Sequence, residues 1–201
     1  MLNIDAQGLV LDARIVRAIR PAIERAPMLI IRGLIVHQTG GGSAQSALES
    51  YQRQSANGAH FLIDRDGTIY QTASLRKQTW HTGKLRSRCM LEARCSTAEQ
   101  RLNSSFNPSQ ENAREQLKSV PDRFPSNADA IGIELVGEAL PRGGSTPDAL
   151  KTYEPVTPAQ NAVLQWLIQE LSNTLNIPLS EVFRHPTVSR KNPTEASTAR
   201  W

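Results

Sequence analysis

The chain has 201 residues, of which 39% are hydrophobic and 21% are charged, with a formal net charge of +4 and a pI near 9.4. This length fits one core, so we expect residues 1–201 to form a single domain. No apolar run approaches the roughly 18 residues of a membrane helix, which predicts no membrane span. The positive charge favours an anionic partner, but cell wall, nucleic acid and membrane surfaces all qualify.

Residues 1–28 are expected to be an N-terminal extension of this domain. Two aspartates, Asp5 and Asp12, precede the first arginine, Arg14, and the segment has no uninterrupted apolar stretch. A secretory signal peptide has a basic start and an apolar middle. We therefore expect no signal peptide.

The first strong strand signal covers residues 29–37, which are rich in isoleucine and leucine and precede a glycine-rich turn. This pattern predicts a buried central strand with His37 at its end. Residues 43–55 contain helix formers without proline or glycine, which predicts a helix. The runs 60–64 and 68–72 flank an Asp-Gly turn, which is typical of a β-hairpin.

Residues 86–128 form a polar region that is predicted to be an elaboration within the domain. Candidate helices lie near Thr97 and Ser109, and the region contains both cysteines, Cys89 and Cys95. Two cysteines at this separation are compatible with a small disulfide loop in an oxidising compartment and equally with two free thiols.

A second core strand is predicted over residues 130–136, where isoleucine and leucine alternate with other residues. Glu134 interrupts this otherwise apolar segment. Alternation places one face in the core and leaves the other available for a site.

The clearest helix signal starts at Thr157, which is followed by a proline and by a glutamine at the capping-box position. Apolar residues continue at helical spacing to residue 175, and Asn176 and Pro178 end the pattern. A short strand over residues 181–183 then leads to His185. Strand and helix signals alternate along the chain, which predicts an α/β fold.

Two of the four histidines, His37 and His185, follow strand-like segments and precede turns. Such positions suit the ligands of a catalytic zinc ion, which needs three protein groups on rigid elements and one open position. A lone histidine in such a place is more often satisfied by the backbone, so spacing alone is a weak signal.

Five motifs occur in a defined order. They are IVHQT at 35–39, AHFLIDRDGTIYQ at 59–71, WHTG at 80–83, Asn127 with IGIE at 131–134, and RH at 184–185. Together they resemble the type 2 N-acetylmuramoyl-L-alanine amidases, the family that includes the peptidoglycan recognition proteins. The resemblance runs from about residue 30 to the C-terminus.

The resemblance implies an α/β fold with a mixed central β-sheet, flanking helices and a zinc site in a groove on one side. It implies Zn²⁺-dependent hydrolysis of the amide bond between N-acetylmuramic acid and L-alanine of peptidoglycan. His37 and His185 match the zinc histidines of the family. Glu134 matches its catalytic glutamate, which takes a proton from water and passes it to the departing amine. Lys191 matches a lysine that stabilises the oxyanion.

Three further motif residues are expected to serve substrate binding: His60, Trp80 and His81. Among them, His60 is expected to be mainly structural and His81 to line the groove. Trp80 is expected to pack rather than to stack on a sugar. The alternative catalytic tyrosine of the family corresponds to Ala59 here, so the chain should depend on Glu134.

The third zinc ligand departs from the family pattern, in which Asp or Cys precedes a proline. Asn192 aligns by its following proline, whereas Glu195 keeps the ten-residue separation from His185. A carboxylate is a better zinc donor than a neutral amide, which favours Glu195. Loss of the third ligand would instead imply a recognition module that binds peptidoglycan without cutting it.

The biological setting follows less directly from the sequence. Synthesis in the bacterial cytoplasm and action on the cell wall in the periplasm are expected. A cell-wall-degrading antibacterial effector, which would require an immunity protein, is favoured over a phage lysin or a recycling enzyme. A nucleic-acid-binding protein ranks last, because the basic residues between positions 76 and 101 lack interleaved aromatic side chains.

Overall fold

The computed structural model describes all residues 1–201. Its strands are β1 (Ile15–Arg17), β2 (Glu24–Pro27), β3 (Gly33–Gly40), β4 (Phe61–Ile63), β5 (Ile69–Gln71), β6 (Lys77–Thr79), β7 (Ala130–Leu140), β8 (Thr152–Tyr153) and β9 (Val182–Arg184). Its α-helices are α1 (Ala44–Ser50), α2 (Arg88–Leu91), α3 (Thr97–Leu102), α4 (Pro108–Gln116), α5 (Pro158–Leu175) and α6 (His185–Val188). Short 3-10 helices cover Pro21–Ile23, Asp148–Leu150 and Leu179–Glu181.

The central sheet has the strand order β1-β5-β4-β7-β3-β9, and β8 pairs with the far end of β7. The strands β4, β7, β3 and β9 run parallel to one another, whereas β5 is antiparallel to β4 in the predicted hairpin. The sheet is therefore mixed and is flanked by helices, which confirms the predicted α/β fold class. A separate two-stranded sheet pairs β2 with β6.

One face of the sheet packs against α5 and forms the main core. Alternate residues of β3 and β7, including Val36, Ile131 and Ile133, are buried there with the leucines of the helix. The predicted caps of this helix are present: Thr157 forms a capping box, and Asn176 ends the helix in the left-handed conformation. Because side chains alternate along a strand, the intervening residues point to the opposite face, which is where the candidate site lies.

The strand predicted over residues 29–37 is displaced along the chain. It begins at Gly33 and continues through His37 to Gly40, while Leu29 is 93% exposed. Gly33 lies so close to Pro125 and to the carbonyl of Glu181 that a side chain there would collide with them. At the C-terminal end, pairing with β7 extends the strand beyond His37 to Gly40, the first residue of the glycine-rich turn. The prediction that His37 ends the strand is therefore wrong.

Two other boundaries also differ from the prediction. Helix α1 ends at Ser50, where the prediction continued to residue 55, and a turn with a left-handed Ser55 follows it. The strand predicted at 181–183 is shifted by one residue to 182–184. Within residues 1–28, β1 joins the edge of the central sheet beside β5.

The elaboration at residues 86–128 contains α2, α3 and α4, with a disulfide between Cys89 and Cys95. A buried ion pair attaches it to the 3-10 helix before β9. Arg88 contacts both carboxylate oxygens of Glu181 at 2.7 and 2.9 Å. No helix of the structure is both long and apolar enough to cross a membrane.

Candidate active site

Three parallel strands bring the histidines and the glutamate of the predicted site together. His37 lies on β3 directly opposite Glu134 on β7, and His185 follows the last residue of β9, which pairs with β3 on its other side. Neighbouring residues in parallel strands project to the same face of the sheet. The register of the sheet therefore fixes the separation of these side chains.

His37, His185 and Glu195 form a compact cluster of possible metal ligands. One ligand atom from each residue lies within 4.8 Å of the others, and all three side chains are buried. The carboxylate oxygen Oε1 of Glu195 is 2.9 Å from Nδ1 of His185 and 3.7 Å from Nδ1 of His37. The cluster therefore offers two imidazole nitrogens and one carboxylate oxygen as donors.

The protonation states of His37 and Glu195 favour binding of a cation. Burial, together with the proximity of His185, lowers the pKa of His37 to about 4, so its imidazole is neutral at neutral pH. Burial would raise the pKa of Glu195, but its contacts with His185 and His37 lower this pKa to about 2. The cluster thus combines an imidazole that is neutral at neutral pH with an ionised carboxylate.

This donor set fits zinc. Zinc binds imidazole nitrogen and carboxylate oxygen, and catalytic sites use three protein ligands and leave one position open. One polar atom of the cluster, Nε2 of His185, and one atom outside it, Oε2 of Glu134, are buried without a hydrogen-bond partner. Buried polar atoms are normally paired, so unpaired ones beside a ligand cluster indicate a functional site.

Gln38 holds the segment that carries Glu195. Its backbone N–H lies 3.4 Å from Oε1 of Glu195, and its side-chain oxygen accepts a hydrogen bond from the N–H of Ala196 at 3.1 Å. Its amide nitrogen donates to the carbonyl of Glu154 at 2.9 Å. Its position directly after His37 in the first motif is the signal in the sequence that could have identified it.

Asn192, the other candidate ligand, lies outside the cluster. Its amide nitrogen donates to the carbonyls of Asp148 and Lys151 at 2.6 and 2.8 Å. Its side-chain oxygen accepts from the N–H and the hydroxyl of Thr194. The side chain is thus fully engaged in shaping the loop between residues 148 and 151 and the turn before Glu195.

A groove of about 350 Å³ opens beside the cluster. Glu134 and Lys191 both line it, together with the three residues of the cluster. Burial, reinforced by the charge of Glu195, raises the pKa of Glu134 to about 8. Glu134 is therefore a carboxyl group that can exchange a proton near neutral pH.

Of the three predicted substrate-binding residues, Trp80 and His81 line the groove and His60 does not. His60 is fully buried; its Nε2 donates to the carbonyl of Lys77 and its Nδ1 accepts from the N–H of Gly132. Trp80 is 49% exposed, with the guanidinium of Arg25 4.6 Å from its ring, so it does not pack into the core as expected.

Other groove residues were not identified from sequence: Tyr51, Asn57, Asp148 and Tyr153. Tyr51 follows α1, Asn57 lies in the loop before β4, Asp148 begins a short 3-10 helix, and Tyr153 ends β8. Sequence periodicity does not reveal them, because these short segments are brought to the site only by tertiary packing.

The model of the N-acetylmuramoyl-L-alanine amidase family, Amidase_2, matches residues 27–196. The chain belongs to this family. No curated protein matches it. Among solved structures, a selenomethionine derivative of AmpD is similar at 20% identity and a TM-score of 0.54, over 96% of this chain and 94% of that chain. PlyL is similar at 12% identity and a TM-score of 0.53, over 88% and 84% of the two chains. At these identities the structures show a shared fold.

Proposed function

We propose that this protein is a zinc-dependent amidase that hydrolyses the bond between the lactyl group of N-acetylmuramic acid and the first L-alanine of the peptidoglycan stem peptide. The observation that carries the proposal is the buried cluster of His37, His185 and Glu195 at the floor of a groove, next to the unpaired carboxyl group of Glu134. Membership of the amidase family supplies the substrate class.

Each residue has a role in this proposal. His37, His185 and Glu195 hold the ion, and zinc in such a donor set supplies Lewis-acid activation of a carbonyl and of water. Glu134 accepts a proton from the attacking water and delivers it to the leaving amine of L-alanine. Lys191 faces the groove as a cation that can stabilise negative charge on the carbonyl oxygen.

The groove wall is proposed to hold the glycan and the stem peptide. Trp80 is 49% exposed and can stack on a sugar ring, and the guanidinium of Arg25 packs over its indole at 4.6 Å. His81 lies deeper in the groove, in contact with His37.

Purified protein and purified peptidoglycan provide the test. We expect about one zinc ion per chain by metal analysis, and cleavage products whose masses identify free stem peptides beginning with L-alanine. Chelation should abolish the products and added zinc should restore them. Zinc-loaded protein that binds peptidoglycan without releasing stem peptides would instead identify a recognition module.

We further propose that the protein acts on the cell wall in the periplasm as an antibacterial effector, whose producing cell needs an immunity protein. The bonded pair Cys89 and Cys95 supports an oxidising compartment. Expression directed to the periplasm of a Gram-negative host should lyse the cells, whereas cytoplasmic expression and a periplasmic Glu134→Gln variant should not. Equal tolerance of the active protein in both compartments would contradict this setting.

A further inference from the structure

His81 connects a ligand of the cluster to the backbone of the sheet. Its Nδ1 lies 2.9 Å from Nε2 of His37, and its Nε2 lies 3.2 Å from the carbonyl oxygen of Ala130. The rings of His37 and His81 meet edge to face, with an interplanar angle of 86°. The three groups form one hydrogen-bonded chain from the cluster to β7.

The acceptor at the end of this chain fixes the direction of every hydrogen bond in it. A carbonyl oxygen can only accept, so Nε2 of His81 must carry a proton. A neutral imidazole carries a single proton, and the contact with the carbonyl of Ala130 places it on Nε2 of His81. Its Nδ1 is then an acceptor, and the proton between the two histidines belongs to Nε2 of His37.

We propose that His81 is a positioning residue for the metal centre, which keeps the proton of His37 on Nε2 and its lone pair on Nδ1, the nitrogen that faces Glu195. The proposal rests on the zinc site proposed above. A histidine that ligates a metal through one nitrogen commonly donates from the other to a fixed acceptor, and this second contact sets the tautomer and the ring orientation.

Contacts with Asn127 and Gly132 hold the backbone and the ring of His81 in position. The backbone N–H of His81 donates to Oδ1 of Asn127 at 3.0 Å, which fixes the start of the loop. On the other side, a methyl group added to Gly132 would lie 2.8 Å from Cγ and Nδ1 of the ring. Gly132 thus leaves room for the imidazole against β7, and Gly132→Ala is a way to displace the ring without changing its chemistry.

Zinc affinity tests the proposal through a matched pair of variants. His81→Phe keeps a ring but has no acceptor, so it leaves the N–H of His37 buried and unpaired. His81→Asn places an amide oxygen near the position of Nδ1 and keeps the acceptor. In competition titrations with a chromogenic chelator, we expect His81→Phe and Gly132→Ala to weaken zinc binding about 10- to 100-fold. The affinity of His81→Asn should stay close to that of the unmodified protein.

The tautomer itself can be read by long-range proton–nitrogen NMR, since the chain has only four histidines. Spectra of chelator-treated and zinc-loaded protein should both show a protonated Nε2 on His37. A proton on Nδ1 of His37 in the chelator-treated protein would overturn the proposal, as would equal zinc affinity of His81→Phe and His81→Asn in folded protein. If the unmodified protein bound no zinc, the proposed function would fail, whereas the chelator-treated spectrum would still decide the tautomer.

Discussion

Replacing Glu134 by glutamine should stabilise the metal-free protein while abolishing its activity. One carboxyl oxygen, Oε2, is buried without a partner, and burial raises the pKa of this group from 4.5 to about 8. Near neutral pH the unfolded chain carries this group ionised, whereas the folded chain must keep it protonated. The difference opposes folding, and glutamine removes it.

The size and sign of the effect follow from proton linkage. Below pH 4.5 the carboxyl group is protonated in both states, so the variant gains nothing from the substitution. Between pH 4.5 and 8 each pH unit adds about 1.4 kcal/mol to the penalty on the unmodified protein. At pH 7 the penalty amounts to roughly 3 kcal/mol. Stability of Glu134→Gln relative to the unmodified protein should therefore rise with pH through this window.

Urea unfolding in the presence of a chelator, at pH values from 4.5 to 8, measures this difference. Glu138→Gln is the control, because Glu138 lies on the same strand but pairs with Arg142 at the surface, at 2.6 Å. Its neutralisation should change stability by at most about 1 kcal/mol, without a gain as pH rises. Bound zinc places positive charge near Glu134 and should reduce the gain of the glutamine variant.

The same substitution should lower the rate of peptidoglycan cleavage. Glutamine has nearly the same shape but cannot accept a proton, so turnover should fall on the order of 10²-fold or more while zinc content is unchanged. A stability difference that stays constant from pH 4.5 to 8 would refute the reasoning, because it would mean that Glu134 titrates as an ordinary carboxyl group in the folded protein.

Three other predictions concern the ligands and the elaboration at residues 86–128. Glu195→Ala should lower zinc affinity sharply in a metal titration, whereas Asn192→Ala should retain zinc; the reverse ranking would move the ligand to Asn192. Replacing both cysteines by serine should leave peptidoglycan cleavage intact and lower the free energy of unfolding by about 2 kcal/mol under oxidising conditions, and unchanged melting with and without reductant would indicate free thiols. Arg88→Ala should destabilise the fold by about 3–5 kcal/mol, because it leaves the carboxylate of Glu181 buried and unpaired, and removing both partners should cost less.

The elements that could be predicted from sequence are those with strong local signals. Helix α5 combines a capping box, a proline at its first position and apolar residues at helical spacing, and the structure contains it with these caps. The β4–β5 hairpin follows from its Asp-Gly turn, and β7 from its alternation. In each of them, local propensity and the hydrophobic pattern agree with the tertiary fold.

Elements that depend on tertiary pairing could not be predicted in the same way. Strands β1, β2, β6 and β8 have two to four residues each, too few for a periodic pattern. The run at 28–31 is apolar, yet it precedes the strand and Leu29 is exposed. Hydrophobicity alone therefore does not show where a strand begins. The first residue of the strand must be a glycine because a side chain there would collide with Pro125 and Glu181, which are distant in sequence.

The candidate site shows the same division between local and tertiary information. His37, His185 and Glu134 could be located from strand signals and motifs, since the sheet register then determines their separation. Glu195 lies on no regular element. Its position depends on Gln38 from β3, and this contact joins residues 157 positions apart in the chain. Sequence could therefore suggest its chemistry but not its place.

Asn192 occupies the position where the family pattern has the third zinc ligand, and its hydrogen bonds give it a structural role there. Asn192 donates two hydrogen bonds, to the carbonyls of Asp148 and Lys151, and an aspartate could donate neither. Its backbone carbonyl accepts from the N–H of Glu195 at 3.1 Å, which closes the turn that directs this residue toward the histidines. In this chain the amide therefore shapes the groove and the turn, while the carboxylate three residues later is left free to face His37 and His185.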